Sequence, residues 1–178
     1  MANLQRKRLL LVKGSFEPFG GGERDLINNL EAWSKYFDLS VATLHPNKEL
    51  IEKLNDLKIP LFSPVSNWTY SRGIFSEIFA SSSRNASKKW YSMLSLTNQG
   101  VGLSTLFSNI DAVNITTGMA SLEILPLIPN NIPIHTYMLE PYRGLYSNDV
   151  HFDVHGMPKQ NRKLKNVLLS KQRKIAEK

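Results

Sequence analysis

Apolar residues along this chain fall in short blocks that alternate between unbroken runs and helical spacing. Leu9-Leu10-Leu11-Val12, inside residues 8–13, is a run bounded by charge and by Gly14, and it reads as a buried strand. Residues 25–33 then place Leu26, Ile27, Leu30 and Trp33 on one side of a helix. Residues 39–43 read as a second strand, and His45-Pro46-Asn47 turns the chain. Asn47 is placed to cap a helix through Leu57, with Leu50, Ile51, Leu54 and Leu57 inside. Residues 59–62 form a third short strand. The order β-α-β-α-β with short connections predicts a parallel sheet joined by right-handed crossovers.

The stretch from Ser63 to Ser108 is less regular. Trp68, Tyr70, Ile74, Phe75, Ile78 and Phe79 suggest one helix with a broad apolar face, and Trp90, Met93 and Leu94 suggest another. Ser81-Ser82-Ser83 and Asn98-Gln99-Gly100 are the expected breaks. These aromatics could line a groove for a lipid or sugar, but aromatics at helical spacing are more commonly core, and core is the expectation. Residues 111–115 resume the strand pattern and end at Thr116-Thr117-Gly118, with a short helix expected over residues 120–125. Pro126, Pro129 and Pro133 frame a loop leading to a strand over residues 134–138. The predicted class is α/β: a Rossmann-like parallel sheet with helices on both faces, forming a single domain over residues 1–178.

Composition narrows the class. At 178 residues, 42% hydrophobic and 21% charged, the chain suits a globular domain, and no apolar run approaches the roughly 18 residues of a membrane span. Without cysteine there is no disulfide, thiolate metal site or cysteine nucleophile. A cytoplasmic location is the expectation. The net charge of +7 is concentrated at one end: residues 159–178 carry eight basic side chains against one acid, Glu177. Their apolar positions Leu164, Val167, Leu168 and Ile175 fit a basic amphipathic helix. Such a helix either presents a solvated face or rests on an anionic membrane surface, here the inner face. No recognition motif or aromatic platform accompanies it, so nucleic acid is not an expected partner.

The chemistry suggested by the residues lies at the start. A strand, the segment Gly14-Ser15-Phe16-Glu17-Pro18-Phe19, the turn Gly20-Gly21-Gly22-Glu23-Arg24 and a helix would aim backbone N–H groups at an anion. The run lacks the third glycine of G-x-G-x-x-G, and no Gly-Lys-Ser/Thr makes a P-loop. Ser104 and Ser121 lack nucleophile-elbow spacing. His151, Asp153 and His155 would share one face of an extended strand, but no fourth ligand is evident and no metal is expected.

Three segments together resemble the N-terminal, acceptor-side half of a GT-B glycosyltransferase of family four, a retaining group. They are the turn from Phe16-Glu17-Pro18 through the glycines to Glu23-Arg24, the Asp-led strand at 111–115, and Glu140-Pro141-Tyr142-Arg143 followed by Tyr146. The last is similar to the "HEPPR…Y" segment of one branch, with Leu139 standing where that branch has histidine. Asn114 and Thr116 stand where the Asp-led strand often ends in histidines. The resemblance implies a nucleotide-sugar donor, a glycan or lipid-linked acceptor and no further cofactor. It implies a donor-binding domain in cis that this sequence lacks, so the expectation is a fragment of a longer enzyme, inactive alone. By matching position, Gly20, Gly21, Gly22 and Arg24 would approach the donor diphosphate. Glu140 and Arg143 would line the cleft, or pair with each other to pin their loop. No catalytic residue is assigned. The alternative is a non-catalytic glycan- or partner-binding module on a degenerate version of the same fold.

Overall fold

The computed structural model describes residues 6–17, 20–69 and 81–138. Strand β1 (Lys7–Val12) sits at the centre of the sheet. It pairs in parallel with β2 (Phe37–Ala42) on one side and with β4 (Ala112–Thr116) on the other. Two-residue β3 (Leu61–Phe62) and β5 (Ile134–Tyr137) complete an all-parallel order of β3-β2-β1-β4-β5. This is the Rossmann-like α/β arrangement expected from the alternating pattern. The chain leaves β1 toward β2 and β3, then returns to build β4 and β5 on the opposite side. The switch point, where such sheets open a crevice at the strand C-termini, therefore lies between β1 and β4.

The inner strands alternate their side chains between two packed layers, while β5 is exposed along its length. Leu9, Leu11, Leu39 and Val41 face helices α1 (Gly21–Ser34) and α2 (Lys48–Leu57), meeting Leu26, Ile27, Leu30, Leu50 and Leu54. Leu10, Val12, Val113 and Ile115 face the other way, toward helix α3 (Ser81–Met93), helix α4 (Leu103–Phe107) and a 3-10 helix at Leu122–Leu127. Trp90 and Met93 of α3 are fully buried in this second layer, as is Trp68 nearly so. These aromatics are core. Helices thus cover both faces.

Several expectations shift in detail. Asn47 caps α2 as its position predicts, its Oδ1 accepting the Leu50 N–H at 2.9 Å. Ile51, however, turns outward and is 40% exposed, because Leu50, Leu54 and Leu57 form the face that meets the core. Strand β2 begins two residues earlier than expected: Phe37 and Asp38 stand opposite Lys7 and Arg8 in register, so pairing overrides the poor strand propensity of aspartate. β3 shrinks to two residues behind Pro60, which has no N–H for the ladder. The serines at 81–83 stand in α3, and the segment before them lies outside the described residues. The short helix expected at 120–125 forms later and as a 3-10 turn, after Ala120 adopts a left-handed φ of 59° and with Pro126 inside it. The predicted helix at residues 70–79 lies outside the described residues. Among the described residues, no helix is long and apolar enough to cross a membrane.

Candidate functional site

The C-terminal end of β1 brings three short segments together. Side-chain alternation carries on past Val12, so Lys13 continues the face of Leu9 and Leu11 and points to the α1 side of the sheet. Its side chain is 3% exposed, and its ammonium lies 2.8 Å from Oε1 of Glu23, in the first turn of α1. It also donates to the Thr117 carbonyl at 3.1 Å, beyond the end of β4. Gly118 follows with φ +158°, and a Cβ there would run into Lys13 Nζ, so glycine at 118 leaves the space that the ammonium fills. One buried cation therefore ties together the ends of β1 and β4 and the start of α1.

Gly14 faces the other layer. Its N–H donates to the Ser121 hydroxyl at 2.9 Å, and its carbonyl accepts the Leu44 N–H at 3.0 Å. A Cβ on Gly14 would collide with the backbone of Met119 and Ala120, so this is a close approach that no other residue type permits. Ser121 is fully buried and occupied by Gly14, which makes its hydroxyl a structural acceptor instead of a nucleophile.

The glycine turn is arranged differently from the expected loop. Gly20 is extended (φ −135°, ψ −165°), and Gly21 and Gly22 already belong to α1. None of the three needs left-handed backbone; what glycine supplies here is an absent side chain. A Cβ on Gly21 would meet nothing within 4 Å, and one on Gly20 would touch only Oε2 of Glu23 at 3.0 Å. No side chain from Gly20 caps the helix. Instead, Glu23 reaches back, its Oε2 accepting the Gly20 N–H at 2.9 Å while Oε1 holds Lys13. This is half of a capping box, with glycine unable to return the bond. Arg24 is exposed, and its N–H donates to the Gly20 carbonyl at 3.2 Å, the first helical bond of α1.

The sheet's opposite edge is held by Asp111. Arg8 N–H donates to its Oδ2 at 2.8 Å, and Asp111 N–H donates to the Arg8 carbonyl at 2.9 Å, clasping the starts of β1 and β4. The Arg8 N–H holds the Asp111 carboxyl below its ordinary range, helped by the charges of Lys7 and Arg8 and opposed by partial burial. The Asp-led strand thus begins with a structural clasp, at the end of the sheet remote from Lys13. Further along β4, the Asn114 amide nitrogen meets His135 Nδ1 across to β5 at 2.8 Å, leaving Asn114 Oδ1 buried without a partner.

Of the residues singled out by sequence, Gly20, Gly21, Gly22 and Arg24 stand together at the start of α1, beside the switch point. Pro18, Phe19, Leu139, Glu140, Arg143, Tyr146, His151, Asp153, His155 and the basic segment 159–178 lie outside the described residues. Among the described residues, no three histidine, aspartate or glutamate side chains gather as a metal site would need. Sequence reading passed over Lys13, although a cation directly after an aliphatic run and directly before a glycine was its visible signal. No family model matches the chain, and no curated protein matches it either.

Proposed function

We propose that this chain is the acceptor-side domain of a retaining glycosyltransferase of the GT-B type. The enzyme transfers a sugar from a nucleotide-sugar to a glycan or lipid-linked acceptor, working with a donor-binding domain. The observation that supports this reading is the position of the glycine turn. Gly20, Gly21 and Gly22 open α1 next to the central strand at the β1/β4 switch point, with open space where a Gly21 side chain would stand. A helix start without side chains lets a diphosphate come up to backbone N–H groups and the positive end of the helix dipole. The domain's share of the mechanism is positioning, together with stabilisation of charge on the departing nucleoside diphosphate. Arg24 adds charge at the same edge. Glu140 and Arg143 orient the acceptor or sugar in this reading, on the strength of the resemblance alone.

The test is Gly21→Ala in the native polypeptide, followed by release of nucleoside diphosphate from a nucleotide-sugar. Transfer should fall sharply while the melting temperature holds. An unchanged rate sinks the phosphate-loop claim. Leu139, at the position where one branch carries histidine, favours a second reading as a non-catalytic glycan- or partner-binding module. A native polypeptide that binds glycan and turns over no nucleotide-sugar would select that reading. The basic segment 159–178 extends the proposal to peripheral attachment on the inner membrane face, and equal flotation with anionic and neutral liposomes removes that extension.

A further inference from the structure

Among the described residues, Lys13 is the one charged side chain that is buried. A leucine would continue the strand pattern without the desolvation cost that a buried ammonium carries. The segment after β4 holds this ammonium without help from Glu23. Thr117 supplies a carbonyl at 3.1 Å and Gly118 leaves the space, and neither contact depends on Glu23. Glu23 is the outer partner, its side chain 16% exposed. Its two oxygens are held separately, Oε1 by the Lys13 cation at 2.8 Å and Oε2 by the Gly20 N–H at 2.9 Å. A cation and a backbone N–H converging on two oxygens of one anion is how a phosphate group is held.

We propose that the Glu23 carboxylate is an internal stand-in for a ligand's phosphate, and that Lys13 is the cation the two exchange. The inference rests on the phosphate-ligand reading above and adds the regulation of that site. In the empty state Glu23 satisfies Lys13 and Gly20. An incoming phosphate displaces the carboxylate, which swings toward solvent, and takes over both donors while Thr117 and the space at Gly118 keep the ammonium in place. Only a ligand that outcompetes a singly charged carboxylate enters, so a diphosphate is preferred over weakly charged groups. Free affinity is lowered by the cost of displacing Glu23.

The probe is inorganic pyrophosphate, titrated calorimetrically into the intact chain and three variants. Glu23→Gln keeps an oxygen acceptor for Lys13 but removes the competing charge. It should bind pyrophosphate roughly tenfold more tightly than wild type, the scale of one charge-assisted hydrogen bond. Lys13→Met should bind roughly tenfold more weakly, by the same measure. Equal affinity in wild type, Glu23→Gln and Lys13→Met overturns the exchange. If Gly21→Ala nevertheless weakens binding, the phosphate reading stands and only the exchange falls. No binding to wild type or Glu23→Gln removes both. A measurement on wild type guards against a variant that does not fold. The side-chain carboxylate 13C resonance of Glu23 should move as pyrophosphate saturates the protein, and a stationary signal at saturation overturns the proposal.

Discussion

Two glycines seven positions apart should respond in opposite ways to the same added methyl group. At Gly14, a Cβ would be driven into the backbone of Met119 and Ala120, where no side-chain rotation relieves it. Either the segment after β4 moves or β1 does. Moving either one disturbs the Gly14 N–H bond to Ser121 and the Gly14 carbonyl bond to Leu44, which join β1 to both neighbours. Overpacking of this kind costs about 3 kcal/mol, more when buried hydrogen bonds are lost with it. At Gly21 the new methyl meets nothing within 4 Å, and the residue lies in the first turn of a helix. There alanine gains helix propensity and lowers the entropy of the unfolded chain, together worth about 0.5 kcal/mol in favour of folding.

Urea and thermal denaturation of the intact chain carrying each substitution would measure the contrast. For a chain of this size, about 1 kcal/mol shifts the melting temperature by roughly 2–4 °C. Gly14→Ala should therefore lower it by about 6–12 °C, and Gly21→Ala should leave it level or slightly raised. A Gly14→Ala protein melting with wild type would refute the close approach at the end of β1. A Gly21→Ala protein as damaged as Gly14→Ala would show the helix start to be crowded. It would also remove the ground for treating Gly21 as a position kept open for a ligand. If the contrast holds, any loss of diphosphate binding in Gly21→Ala belongs to the ligand and not to the fold.

Three further outcomes follow from the packing. Lys58 ends α2 in a left-handed conformation (φ 55°), so Lys58→Gly should stabilise the chain by about 1 kcal/mol, read as a small rise in melting temperature. Trp90 is fully buried and its indole N–H donates to the Ala120 carbonyl at 2.7 Å; Trp90→Phe leaves that carbonyl unsatisfied and should cost about 1–3 kcal/mol by urea titration. Asp111 has its carboxyl held below the unfolded value, so its contribution is present above about pH 4 and is lost as pH falls through the folded value. Asp111→Asn should flatten the acid limb of the stability profile in that window, and an unchanged acid limb would show that the clasp owes nothing to charge.

Most of the sheet was legible because its inner strands are covered on both faces. A strand covered on both sides is apolar nearly throughout, and Leu9–Val12 can hardly be read otherwise; in Ala112–Ile115 only Asn114 interrupts the pattern. Helix α2 was legible for a different reason: Asn47 marks its start and Leu50 and Leu54 mark its inner face, all within eight residues. What escaped were features set by distant partners. Phe37 and Asp38 join β2 only because Lys7 and Arg8 lie alongside. The 3-10 turn starts late because Ala120 bends to place its carbonyl on Trp90, thirty residues away. No local pattern carries such information.

The site divides along the same line. Glycines announce themselves in any sequence, and Gly20, Gly21 and Gly22 do stand at the sheet's C-terminal edge. Their backbone is ordinary, so the absent side chains are what set them apart. Gly14 looked like an unremarkable end to a strand, yet it is the glycine that the fold requires. Lys13 is the harder case. A lysine after an aliphatic run is usually where a strand surfaces, and the sequence offers Glu23 ten residues later and Thr117 over a hundred residues later with no sign that they converge. The parallel sheet brings them together: β1 and β4 are neighbours, their ends coincide, and α1 must start beside β1 to cross back to β2. A buried cation at that junction is a consequence of topology acting on three unrelated positions. The proposed phosphate site is therefore best tested where β1, β4 and α1 meet, on Lys13 as much as on the glycines.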